Sequence, residues 1–339
     1  MTTSLEDIAA ALGTPGRGIL AADESSGTIK KRFDSIGVKS TEQNRRDYRE
    51  MLFCTDRAMR DNISGVILYD ETLRQRAKDG TPLVDIIKAN GTIPGIKVDQ
   101  GAKPMAGFPG ELVTEGLTGL RDRLTEYFEL GARFAKWRAV INIGVGIPSR
   151  ACIKANMHAL ARYAALCQES GIVPIVEPEV LMDGNHDIDR CYDVTEAVLR
   201  ALFTELYEQR VILEQTALKP NMVISGKECA HQAGVEEVAE KTIHCFKRAV
   251  PAAIPSILFL SGGQSDIDAT AHLNAINASG DLPWQVSFSY GRALQAAPLK
   301  AWGGKPENAD AAQAALAHRA AMNGLATRGD WTAGQEPAS

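Results

Sequence analysis

Phe134-Ala-Lys-Trp-Arg-Ala-Val-Ile-Asn142 and Val173-Pro-Ile-Val-Glu-Pro-Glu-Val180, joined through the segment Ser149 to Ser170, set the pattern for the chain. The two outer runs are short and apolar, which reads as strands, and the middle segment carries a helical period. Six more apolar runs repeat the arrangement on either side: Gly18 to Asp23, Gly65 to Asp70, Gly95 to Asp99, Leu218 to Ile224, Ile257 to Gly262 and Gln285 to Tyr290. Their starts lie about thirty to fifty residues apart, room for the crossover that parallel strands require, so hairpins are not expected. Helices are predicted over Thr41 to Asn62, Ile188 to Glu208, Val235 to Val250 and Ser265 to Ala278, and Ser4 with Asp7 forms a capping box for a first helix that Gly13 and Pro15 end. Eight strand-helix units predict an α/β fold, a (β/α)8 (TIM) barrel closed into a single domain. An open doubly wound sheet would bring a glycine fingerprint after its first strand, and none follows Asp23. We place the barrel over residues 1–325 and a mobile C-terminal tail, lacking an apolar period, over 326–339.

Composition narrows the function classes. The 339 residues are 45% hydrophobic and 23% charged, and 37 basic against 42 acidic side chains leave a net charge of -5. Such a surface gives no field that attracts nucleic acid or membrane. The most apolar stretch, Val250 to Leu260, is too short for a bilayer and holds Pro251 and Pro255. Glu6 and Asp7 sit where a signal peptide would be positive. Six cysteines without a Cys-x-x-Cys pair read as reduced thiols of a cytoplasmic protein.

Barrel chemistry sits at the carboxyl ends of the strands, so charges inside apolar runs carry the most information. They are Asp23, Lys97, Asp99, Lys136, Arg138, Glu177, Glu179 and Lys219. Each alone reads as a strand-mouth charge facing water or as half of a structural pair. Together they imply a functional cluster, because unpaired burial costs several kcal/mol per ion. Residues two apart share a strand face, so Lys136 joins Arg138 and Glu177 joins Glu179. Alternate strands fill one interior layer, which lets Lys136 and Lys219 meet across Glu177. At about 4–5 Å and an effective dielectric near 20, two ammonium groups repel by roughly 3–4 kcal/mol, which predicts that one amine approaches neutrality.

A neutral lysine attacks a carbonyl to give a Schiff base, whose protonated nitrogen takes up the electrons of a breaking carbon-carbon bond. Glu177 suits the proton transfers of carbinolamine dehydration and Asp23 suits the base that frees an aldehyde from its hydroxyl. Ser261-Gly262-Gly263 after the seventh run and Gly291-Arg292 after the eighth match the place where barrels hold a phosphate. The six histidines show no metal-ligand spacing, although carboxylates alone could bind Mg²⁺, and Asp183-Gly-Asn-His-Asp187 reads as a polar loop.

Gly18-Ile-Leu-Ala-Ala-Asp-Glu-Ser25, Gly95-Ile-Lys-Val-Asp99, Lys136-Trp-Arg138, Val176-Glu-Pro-Glu179, Leu218-Lys-Pro-Asn-Met222, Leu260-Ser-Gly-Gly-Gln264 and Ser289-Tyr-Gly-Arg-Ala-Leu-Gln295 together resemble class I fructose-bisphosphate aldolase. The resemblance runs from about residue 5 to residue 325. It implies a metal-independent barrel without a cofactor, usually a homotetramer, that reversibly cleaves fructose 1,6-bisphosphate to dihydroxyacetone phosphate and glyceraldehyde 3-phosphate in glycolysis and gluconeogenesis. By the same resemblance Lys219 is the Schiff-base lysine, Lys136 its partner, Glu177 the acid/base, Glu179 a supporting carboxylate and Asp23 the group on the hydroxyl proton. Ser261, Gly262, Gly291 and Arg292 would bind the ketone-side phosphate, Ser25, Thr28 and Lys97 the other, with Arg32 and Arg138 near the substrate. Thr28 stands where the family often has Ser. Many members end in a longer tail closing on Tyr, whereas this chain has no tyrosine after Tyr290.

Two rivals remain at this level: another Schiff-base lyase, transaldolase-like, working on a different sugar phosphate, and a non-catalytic scaffold that kept the barrel. The paired phosphate sites favour the first reading over one rival, and the full set of titratable groups favours it over the other.

Overall fold

In the computed structural model, which describes residues 4–336, eight parallel strands close into a barrel in sequential order. They are β1 (Gly18–Ala22), β2 (Ile63–Leu68), β3 (Ile93–Lys97), β4 (Phe134–Ile141), β5 (Val173–Val180), β6 (Ala217–Leu218), β7 (Ser256–Phe259) and β8 (Gln285–Tyr290). The alternation of side chains divides each strand between two environments. Leu20, Val66, Ile96, Trp137, Val176, Ile257 and Phe288 point outward into the layer of helices. Ile19, Ile67, Phe134, Ile175, Ala217 and Leu258 fill the inside. Toward the carboxyl ends the same inward parity brings up Lys136, Glu177 and Lys219, so the interior changes from apolar to charged along its axis.

The amino end is stoppered. The helix Leu5–Leu12 starts at the Ser4–Asp7 capping box and packs Ile8, Ala9 and Leu12 onto the inner apolar cluster. Two barrel serines take up its last carbonyls, Ser64 Oγ donating to Leu12 O at 2.6 Å and Ser256 Oγ to Ala9 O at 2.7 Å. Phe134 occupies the interior beside two glycines. A β-carbon on Gly95 would lie 2.2 Å from its ring and one on Gly65 2.9 Å. Gly95→Ala is therefore expected to cost about 1–3 kcal/mol through overpacking. A thermal melt checks this, and Phe134→Leu in the same chain should recover part of the loss.

Four features differ most from the sequence reading. The helix expected over Thr41 to Asn62 is two, Glu42–Phe53 and Asp56–Asp61. Thr55 interrupts it: the Thr55 hydroxyl donates back to Met51 O at 3.1 Å and its backbone leaves the helical region. The sixth run pairs as a strand only over Ala217–Leu218. Pro220 has no amide hydrogen to continue the ladder, and the Asn221 side chain accepts from Val180 N at 2.9 Å instead. A short antiparallel hairpin, Ala102–Pro104 with Leu112–Thr114, stands in the β3–β4 connection, contrary to the expectation of none. Its arms are too brief for a period-2 pattern to register.

The last difference concerns the tail. The helix Ala309–Ala326 leads into residues that pack against it as far as Glu336. Trp331 is buried and its Nε1 donates to Glu336 Oε1 at 3.0 Å, while Arg319 Nη1 donates to Glu336 Oε2 at 2.5 Å. Residues 337–339 of the expected mobile extension lie outside the described residues. All six cysteines are free thiols, and among the described residues no helix is long and apolar enough to cross a membrane.

Candidate active site

The inward charges gather at the carboxyl mouth of the barrel around Glu177. Lys136 Nζ lies 3.1 Å from its Oε2 and Lys219 Nζ 3.1 Å from its Oε1. Lys136 also meets Asp23 Oδ2 at 2.7 Å. All three side chains around Glu177 belong to strands or strand ends: Lys136 on β4, Lys219 one residue past β6, and Asp23 one residue past β1. The ladder fixes their heights, since Arg138 pairs in register with Glu177 and the amide of Lys219 donates to Val176 O at 2.9 Å. The side chains of Lys136, Glu177 and Lys219 are no more than 5% exposed.

This arrangement revises the electrostatic expectation. The two amines do not face each other alone, because a carboxylate stands between them. Burial opposes the charge on Lys136, but Asp23 and Glu177 outweigh it and raise its pKa above the ordinary lysine value. Burial likewise opposes ionisation of Glu177 and of Asp23, and the neighbouring Lys136 and Lys219 outweigh it, holding both carboxyls below their usual range. Lys136 is thus a fixed cation. Glu177 Oε1 lies within reach of the Lys219 amine, near enough for a proton to pass between them.

Around this core lies a cavity of about 200 Å³. Asp23, Thr28, Arg32, Lys136, Arg138, Glu177, Glu179, Lys219, Ser261, Gly262, Gly291 and Arg292 line it, twelve of the fourteen residues singled out in the sequence. Ser25 and Lys97 do not. Ser25 precedes the helix Ser26–Asp34 and its hydroxyl sits 3.2 Å from that of Thr28. Lys97 Nζ is turned onto its own strand end, 2.6 Å from Asp99 Oδ1. Glu179 is taken up by Arg138 Nε.

Two polar lining residues escaped the sequence reading. Glu24, buried beneath the cavity, meets Arg32 Nη1 at 2.5 Å and accepts from Gln295 Nε2 at 2.8 Å, so it fixes a guanidinium that lines the cavity. Ser289, on the inward face of β8, keeps a buried hydroxyl with no hydrogen-bond partner. Strand parity alone identifies Ser289, whereas nothing in the run Ala-Asp-Glu-Ser separates Glu24, held by Arg32, from Asp23, held by Lys136. The β7 turn carries Gly262 and Gly263 at φ +57 and +92, a conformation that leaves the backbone open to an anion. A larger apolar groove of about 700 Å³ opens at the opposite end of the barrel, lined by Leu5, Ile8, Ile93 and Phe128, with Lys88 and Arg133 as its ionisable groups among the described residues.

Comparison with known proteins follows the same lines. The family model described as "Fructose-bisphosphate aldolase class-I" matches residues 4–339. A "Probable fructose-bisphosphate aldolase class 1" of Xanthomonas axonopodis pv. citri is 61% identical over 328 residues, 96% of this chain and 98% of that protein. "Fructose-bisphosphate aldolase 6, cytosolic" of Arabidopsis thaliana is 56% identical, covering 95% of this chain and 89% of its own length. Among solved structures, the fructose-bisphosphate aldolase of Plasmodium falciparum, in a complex with TRAP and a small-molecule inhibitor, superimposes with a TM-score of 0.94 at 46% identity, covering 97% of this chain and 95% of that one.

Proposed function

Since the chain belongs to the class I fructose-bisphosphate aldolase family, we propose that it cleaves fructose 1,6-bisphosphate reversibly into dihydroxyacetone phosphate and glyceraldehyde 3-phosphate through an imine on Lys219. The observation that carries this reading is the buried group of Lys219, Glu177, Lys136 and Asp23 at the barrel mouth.

Glu177 takes a proton from Lys219, and the free amine attacks the C2 carbonyl of the open-chain ketose to give a carbinolamine. Glu177 returns a proton to the C2 oxygen, which leaves as water, and the nitrogen becomes a protonated imine. Asp23 removes the proton of the C4 hydroxyl. The C3–C4 bond then breaks, its electron pair passing into the imine to form an enamine, and the aldehyde departs. Protonation at C3 and hydrolysis release the ketone and restore Lys219. The Lys136 cation holds Glu177 and Asp23 ionised between these transfers, in keeping with the lowered pKa of both carboxyls.

Ser261, Gly262, Gly291 and Arg292 bind the ketone-side phosphate at the turns after β7 and β8. Thr28 serves the aldehyde-side phosphate, with Ser25 and Lys97 reaching it once Lys97 exchanges Asp99 for the anion. Arg32, set by Glu24, and Arg138, set by Glu179, orient the chain of hydroxyls. The free thiols and the Arabidopsis relative named cytosolic support a cytoplasmic enzyme of glycolysis and gluconeogenesis. Family membership supports a homotetramer, for which light scattering should return about four times the chain mass.

Borohydride added with dihydroxyacetone phosphate should fix a three-carbon adduct on the peptide containing Lys219, read by mass spectrometry. An adduct elsewhere, or none, would overturn the reading. Ser289→Ala gives a finer check. The hydroxyl has no protein partner to lose, so the melting temperature should hold, while KM or kcat worsens about threefold to tenfold through a lost substrate hydrogen bond.

A further inference from the structure

Arg292 makes no salt bridge or side-chain hydrogen bond among the described residues, although it projects at the mouth of a site rich in carboxylates. Another cation stands close to it. A β-carbon built on Gly263 would lie 2.8 Å from Arg292 Nη2 and 3.0 Å from Lys227 Nζ, so both groups close on one point of the β7 turn. They are no further apart than those two distances laid end to end, near enough to donate to different oxygens of one phosphate at the usual ~2.8 Å. Two cations brought this close raise each other's energy, and an anion bridging them relieves the repulsion.

Lys227 is held there by its backbone. Its amide donates to Met182 O at 2.7 Å, the next amide donates to Gly184 O at 2.9 Å, and the amide of Gly226 donates to His186 O at 2.8 Å. Gly226 has to be glycine, since a β-carbon would stand 2.4 Å from Gly184 O. The polar loop after β5 thus docks the loop after β6 and brings the lysine over the β7 turn. The only ion-pair partner of Lys227 among the described residues is Asp183, at 3.0 Å and 67% exposed. A pair so open to water is weak and exchanges readily.

We propose that Lys227 is a substrate-binding residue that moves from Asp183 to the ketone-side phosphate and closes the site opposite Arg292. The assignment rests on the functional reading above and adds a specificity determinant to it: Lys227 senses the phosphate on the ketone half, whatever the other half carries.

Lys227→Met should raise KM about fivefold to tenfold for fructose 1,6-bisphosphate and equally for fructose 1-phosphate, with kcat within about twofold. Lys227→Arg should recover most of the loss, and Asp183→Asn, which frees the lysine, should lower KM. Inorganic phosphate binding to the full chain, measured by calorimetry, gives an independent readout and should weaken in Lys227→Met by the same factor. Unchanged KM and phosphate affinity would overturn the role of Lys227 while leaving the aldolase reading intact. So would an effect confined to the bisphosphate, since it would move the contact to the other phosphate. A wild-type chain that binds phosphate through Lys227 but cleaves neither sugar would overturn the functional reading and leave the assignment standing.

Discussion

Lys219→Met is expected to abolish cleavage of fructose 1,6-bisphosphate, with kcat falling on the order of 10⁴- to 10⁶-fold. No other group in the cavity can replace it. Lys136 is pinned between Asp23 and Glu177 and kept charged by both, and Arg32, Arg138 and Arg292 stay protonated at any working pH. Without an amine there is no imine, and the C3–C4 electrons have no sink. The methionine fills nearly the same volume, and Glu177 keeps Lys136 as its counter-ion, so the barrel should fold. Circular dichroism and a thermal melt establish that the variant is folded, a coupled assay reads the loss, and borohydride with dihydroxyacetone phosphate should leave it unlabelled. Residual turnover within tenfold of wild type in a folded variant would remove Lys219 from the mechanism.

The same geometry explains what was legible in the sequence. Val173–Val180 and Gln285–Tyr290 match their runs to the residue because both faces of these strands are buried and their turns follow at once. Glu177 and Glu179 announce themselves because a charge inside such a run must face the interior mouth. Lys97 follows the same pattern but rests on Asp99, for strand parity gives the face but not the rotamer, and its stem is long enough to turn there. The break at Thr55 depends on a hydroxyl choosing a carbonyl four residues back, a choice that hydrophobic period does not encode. The packing of Trp331 depends on Arg319 and Glu336, whose bond exists only once the residues after the last helix fold back along it. Lys227 is the extreme case: it lies in an irregular loop, and only the docking of one loop on another brings it beside Arg292.

Glu177→Gln separates the electrostatic from the chemical use of one side chain. The amide keeps the shape of Glu177 but neither accepts the proton of Lys219 nor returns one to the leaving oxygen. Turnover should fall about 10²- to 10⁴-fold, with the loss in imine formation, so that borohydride labelling of Lys219 slows by a comparable factor. A purely structural role would instead leave the labelling rate of folded enzyme unchanged. The stability effect has a definite pH dependence. Removing the charge leaves Lys136 and Lys219 buried with one counter-ion fewer, a loss of about 3–5 kcal/mol at neutral pH. The folded-state pKa of Glu177 lies below the unfolded value, burial being outweighed by Lys136 and Lys219. Its contribution is therefore present above the ordinary glutamate pKa of about 4.3 and is lost as pH falls through the lower folded value. Urea unfolding should show wild type well above the variant at pH 7, and the two should converge only in acid below about pH 4. A gap that stayed constant into that range would mean that the stabilisation comes from packing, and that Glu177 enters the fold as a neutral acid.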